Sequence, residues 1–208
     1  MTTDPSAAAK IGELRKHLEH ASEEIQELWL DRYVWRKSSD IAAESDAVER
    51  SPFFMTWVGT QYYRRVAMCI RSMADKRRDS HSLLCLLELV RRNHQHIECP
   101  SWMPDDYRTP GSSTLSSRRV QQDIAELRDA LEPVVKYAHE HLAHIKKDPQ
   151  AVLPDPSALD RAVELLGIML RRYTLLLTGN DLEVEPRVLF EWTDTFNEAW
   201  RPDAPPAG

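Results

Sequence analysis

Glycine is scarce in this chain: only 6 of 208 residues, under half of average usage. Sheet-rich α/β folds and phosphate-cradling loops use glycine heavily for tight turns and close backbone approach, and no Gly-x-Gly-x-x-Gly or Walker-type loop occurs. Cysteine is equally sparse. Cys69, Cys85 and Cys99 are odd in number and far apart, with no Cys-x-x-Cys pair for zinc or redox chemistry. A reducing cytoplasm suits them best, and cytoplasmic localisation is expected. Nowhere do 18 apolar residues follow one another, so a membrane span is not expected. Met1 to Lys10 lacks the charged-then-apolar run of a secretory signal. An excess of positive charge is missing too: 27 basic against 33 acidic residues give a formal charge of -6. Any polyanion must therefore bind a local patch rather than the field of the whole molecule. What remains, 42% apolar and 29% charged residues, is the composition of a soluble globular chain with a sizeable core.

Apolar residues recur at helical spacing almost throughout, and no long stretch alternates with the period of two required by a half-buried strand. The expected fold is all-α, an antiparallel bundle of about six helices. The first runs from about Ala7 to Lys37, with Ile11, Leu14, Leu18, Ala21, Ile25, Leu28, Arg32 and Trp35 forming one stripe. A second opens near Ser51-Pro52 and presents Phe54, Val58, Tyr62, Val66, Cys69 or Ile70, and Met73 to the core. The third, Ser80 to Arg92, is apolar all round through Leu83, Leu84, Leu86, Leu87, Leu89 and Val90, and should be central. Pro100, Pro104, Pro110, Gly111 and clustered serines make His94 to Ser117 a long surface connection. A fourth region from Leu115 to Lys147 carries Leu127, Leu131, Val134, Ala138, Leu142 and Ile145, with a kink or break expected at Pro133. Ser157 is the expected cap of a fifth helix bearing Leu159, Val163, Leu166, Leu170, Tyr173 and Leu177, which Gly179-Asn180 ends. A last helix from about Pro186 presents Leu189, Trp192, Phe196 and Ala199. This reads as one helical domain over residues 1–201 with a long loop at 94–117, followed by a disordered Pro-rich tail over 202–208.

Three of eight histidines fall within six residues, in Lys136-Tyr137-Ala138-His139-Glu140-His141-Leu142-Ala143-His144-Ile145-Lys146-Lys147-Asp148. At about 100° per residue, Tyr137, His141, His144 and Asp148 share a face beside the core stripe. An imidazole with an ordinary pKa of about 6.5 can accept or donate a proton at neutral pH, the minimum for cleaving RNA at a 2′-hydroxyl. The plainer reading is a polar flank on a core helix. A metal site is disfavoured, because His-Glu-x-x-His fails at Ala143 and no further ligand motif exists. No cofactor or metal is expected. His17 with His20, and His94 with His96, read as solvated pairs.

The segment Tyr137 to Asp148, ending Leu-Ala-His-Ile-Lys-Lys-Asp, resembles the last helix of HEPN domains in the branch related to bacterial abortive-infection proteins. Met73-Ala74-Asp75-Lys76, leading into Ser80-His81-Ser82-Leu83-Leu84-Cys85-Leu86-Leu87, is similar to the same branch in the same order. The resemblance covers about Leu14 to Leu177. It implies a helical bundle that forms a homodimer, with the His-bearing helices lining a cleft between subunits, and in many members a metal-independent endoribonuclease. The motif there is an Arg, a polar residue, then a His. His144 matches the His and His139 the polar residue, while Ala138 stands where the Arg belongs. The implied catalytic residues are His144 and His139. The implied RNA contacts are Lys136, Tyr137, His141, Lys146 and Lys147. Ala cannot give the planar fork of donors that binds a scissile phosphate.

Two functions follow from the resemblance. One is an RNA-directed effector of phage defence or a toxin-antitoxin system. The other is a non-catalytic dimeric binding or regulatory module that kept the fold and lost the Arg. RNA, and an antitoxin or other partner protein, are the implied partners. Arg64, Arg71 and Arg78 with Lys76 and Arg77 form a basic ridge suited to a phosphate backbone, read here as a solvated face. Trp29, Trp35, Trp57 and Trp192 sit at core-facing spacings and read as packing rather than base-stacking groups.

Overall fold

The Leu-rich segment that has no polar face is the middle of the molecule. In a computed structural model that describes residues 5–44, 52–77, 79–143, 147, 150–186 and 192–193, Leu83, Leu84, Leu86, Leu87 and Val90 are all buried. Five α-helices surround and include this segment: α1 (Pro5–Ala43), α2 (Phe53–Met73), α3 (Leu83–Asn93), α4 (Ser117–Tyr137) and α5 (Pro156–Thr178). Among the described residues there is no strand, only two isolated antiparallel bridges, and no helix is long and apolar enough to cross a membrane. The all-α class is as expected. Five helices are described; most of the expected sixth, with Leu189, Phe196 and Ala199, and the tail over 202–208 lie outside the described residues.

The long first helix buries Leu14, Leu18, Ala21, Ile25 and Leu28, the stripe expected from its spacing. Its two flanks are consumed by neighbours. Cys69 Sγ reaches the Glu24 carbonyl near the C-terminal end of α2 while Trp35 stacks on Tyr62 two turns earlier, ring centroids 5.2 Å apart, so α1 and α2 are antiparallel. Arg15 donates to the Leu177 carbonyl and Arg32 pairs with Asp160 and Glu164, which sets α5 antiparallel to α1 as well. Two glycines make these approaches possible. A Cβ on Gly59 would meet Trp35 at 2.8 Å and one on Gly167 would meet Trp29 Nε1 at 2.7 Å, far inside van der Waals contact, so each indole lies on bare helix backbone.

Local chemistry explains the ends. Ser82 caps α3 by accepting from Cys85 N–H at 3.0 Å, and Ser116 caps α4. Asp155, not Ser157, caps α5: its carboxylate accepts from Ser157 N–H at 2.8 Å and Pro156 occupies the first turn, where a missing N–H costs nothing. Gly179 ends that helix at φ 75°, its N–H bonded to the Leu175 carbonyl, the left-handed conformation that favours glycine.

Three expectations are corrected. The 94–117 connection is not a surface loop, because Ile97, Cys99, Met103, Tyr107 and Leu115 are buried in the core. Its backbone is paired across itself, Leu115 N–H to the Ile97 carbonyl at 2.9 Å and Cys99 N–H to the Ser113 carbonyl at 2.7 Å, so the prolines shape a folded cap rather than an excursion. Helix α4 continues through Pro133, and the departure from α geometry comes later, as a π-helical turn over Ala138–Ala143. Phe54 and Trp57 are 51% and 53% exposed, although their spacing matches the inward stripe, because α2 buries Gly59, Val66, Ala67, Ile70 and Met73.

Candidate functional site

The histidine-rich segment begins where α4 ends. Val134 and Ala138 are fully buried, so the apolar stripe of α4 runs one turn into the π-helical stretch. There the wider i→i+5 turn replaces the 100° step; of the four residues expected on one face, Tyr137 and His141 do lie together, while His144 and Asp148 lie outside the described residues. Glu140 turns inward and is buried. Its Oε2 accepts from the backbone N–H groups of Gln150 and Ala151, both at 2.7 Å. His141 is half-buried, its ring stacked on Tyr137 at 4.7 Å and 24°, and its Nε2 lies 2.6 Å from the Ala151 carbonyl oxygen. With the proton on Nε2, the imidazole donates to that carbonyl.

Adjacent residues of the turn thus grip both the donor and the acceptor of Ala151. A carboxylate that accepts two backbone N–H groups out of water makes charge-assisted bonds, and leaving those donors unpaired would be costly. Lys136, His139 and Lys147 are exposed, and Tyr137 is half-buried against the core. His144 and Lys146 lie outside the described residues. The structure therefore gathers Lys136, Tyr137, His139 and His141 at one end of the bundle, with Ala138 between them facing the core.

Two other clusters escape a reading of the sequence by motif. Asp123, completely buried, accepts from the Tyr107 and Tyr173 hydroxyls at 2.7 and 2.8 Å on one oxygen; its other oxygen accepts from Arg172 at 3.1 Å and forms an ion pair with Arg119 at 2.8 Å. Arg119 also lies 3.0 Å from the Asp106 carboxylate through Nε, an ion pair without hydrogen-bond alignment. Burial and then the bond to Asp123 push the Tyr107 hydroxyl above its ordinary range, and burial with the Asp123 charge does the same to Tyr173. Both phenols stay donors. The signal was present in the chain, since Asp123 occupies a core register between Val120 and Leu127.

The second cluster joins His17 and His20 of α1 to His81, ring centroids 4.7 and 4.4 Å from His81. His17 is buried, not solvated as expected, and its Nδ1 has no partner. Burial first, then the neighbouring His81, hold its pKa below the ordinary value, against a smaller opposite pull from Glu13. The rings of this cluster meet at tilts of 50° and 32°, and among the described residues no group of three or more His, Cys, Asp or Glu could hold a metal ion. Cys69, Cys85 and Cys99 are free thiols whose pKa values burial raises, Cys69 to about 12, which makes them poor nucleophiles. No protein-family model, curated protein or solved structure matches the chain.

Proposed function

We propose that this protein is a helical, RNA-directed relative of HEPN effectors of phage defence or toxin-antitoxin systems, acting as a homodimeric binding module rather than as a nuclease. One observation supports the binding module over the nuclease. The position of the motif cation is Ala138, completely buried in the core, and the polar groups beside it, Glu140 and His141, are engaged with the backbone at Gln150 and Ala151. Phosphate contacts then fall to the exposed Lys136 and Lys147, point charges that position a polyanion without stabilising a transition state as a guanidinium fork does.

The test is to incubate the purified protein with total RNA or tRNA in chelator, measuring binding by mobility shift and cleavage by end-labelled product. Binding without cleavage, weakened by the double change Lys136→Glu and Lys147→Glu, is the expected result. Cleavage that leaves 2′,3′-cyclic phosphate ends and falls by about 10² to 10⁴ on His144→Ala would restore the nuclease reading. Ala138→Arg does not rescue activity on this view. It forces a guanidinium into the core and lowers stability by at least about 3 kcal/mol. Sedimentation at micromolar concentration should give a dimer.

A further inference from the structure

The stretch from Ser51 to Ala74 contains no Asp or Glu but carries Arg64, Arg65 and Arg71, in a chain whose net charge is -6. Pro52 to Ala74 of it is helix α2 with its caps. Its inner face is buried. Its outer face presents Phe53, Phe54, Trp57, Gln61, Arg64 and Met68, at the three- and four-residue spacing of one helical stripe. Phe53 is 77% exposed, and the Phe54 and Trp57 rings lie nearly parallel, centroids 6.5 Å apart at 29°. Of the cations, Arg65 is committed to Glu27 and Asp31 on α1, and Arg71 lies close enough to Asp75 to lower its pKa. Arg64 enters no ion pair or hydrogen bond among the described residues. Three large aromatic side chains in water within five positions are not explained by core packing.

We infer that the outer face of α2 is a docking surface for single-stranded RNA. Bases stack on the Phe53, Phe54 and Trp57 rings, and the phosphates run along the helix toward Arg64 and Arg71, about 10 Å apart along the axis. The chemistry discriminates between occupants. A helix that lies in a membrane surface carries bulky apolar groups along its length, whereas here they cluster at one end and Gln61 and Arg64 follow. A second copy of this face would bring the same cations together. A polyanion with π faces matches both halves of the stripe. The surface is distinct from the histidine turn but continuous with its end of the bundle: α2 packs against the π-helical turn, and α4 ends where α2 begins because both are held antiparallel to their neighbours. The inference shares with the proposed function only the choice of RNA as partner.

Fluorescence anisotropy of a short labelled oligouridylate with the full-length protein separates the two. Phe54→Ala with Trp57→Ala should weaken binding about tenfold or more. Arg64→Gln with Arg71→Gln should also weaken it and flatten the dependence of log K on log salt by about 1.4. Circular dichroism and melting should be unchanged, since these groups face water. Loss of binding in the Lys136→Glu, Lys147→Glu protein with full binding in both α2 variants would overturn the inference and leave the proposed function standing. The reverse pattern would retain the α2 surface and remove the histidine turn from recognition. Absence of any oligouridylate binding would overturn the inference, as would aromatic-dependent binding to anionic phosphatidylglycerol vesicles in place of RNA. A dimer dispersed by the Phe54→Ala, Trp57→Ala change would overturn it in favour of self-association.

Discussion

Asp123 shows what one buried charge demands. Its two oxygens are matched by three donors and a fourth, ion-paired guanidinium from three parts of the chain, and removing the carboxylate leaves two guanidinium groups beside the Tyr107 ring. Asp123→Ala should therefore cost about 3 to 5 kcal/mol in urea unfolding, more than the loss of a solvent-screened surface ion pair such as Arg171 with Asp181. His17 gives a pH dependence of definite sign. Its folded pKa lies below the unfolded value of about 6.5, so the unfolded chain binds the extra proton and stability falls as pH drops below that value toward the folded one. Its contribution is fully present above the unfolded value. Replacing His17 by Phe should flatten this part of the stability curve, measured by urea titration across the acid range. Neither residue was legible by motif. Asp123 sits in a core register and His17 beside Leu18, but whether such a polar group is matched or merely solvated depends in part on partners 49 and 50 residues away for Asp123 and on His81 of another element for His17.

Helix α3 behaves as its composition demands, with Leu83, Leu84, Leu86 and Leu87 buried and Leu89 partly so. Leu87→Ala should cost about 2 to 5 kcal/mol, read as a lowered urea midpoint. Its position is explained by sequence because a helix without a polar face has nowhere else to go. The stripes of α1 and α5 were legible for the same reason, as were Val66, Ile70 and Met73 of α2, whereas the first turns of α2 were not: Phe54 and Trp57 are as apolar as its buried residues, yet Gly59 lies under the Trp35 ring and those two face water. The π-helical turn was also hidden. Its role is a tether, and Glu140→Ala should leave the core intact while exposing the backbone N–H groups of Gln150 and Ala151. Hydrogen exchange at those two amides should accelerate, with a loss of about 1 to 3 kcal/mol in local protection.

The buried side chains of all five helices and of the 94–117 connection join one apolar core, from Leu14 to Val184. A core shared this widely has no part that can unfold alone, and the predicted result is a single cooperative urea transition in which far-ultraviolet circular dichroism and tryptophan fluorescence coincide. Separate midpoints would show that the 94–117 cap or α5 melts independently. Helical class, the presence of the five described helices, the centrality of α3 and the end of α5 at Gly179 follow from the order of residues alone, because periodicity and capping act over one or two turns. The inward turn of Glu140, the match of Asp123, the burial of His17 and the aromatic face of α2 do not. Each depends on which neighbour arrives against a helix, and a contact between residues far apart in the chain leaves no period in the sequence to read.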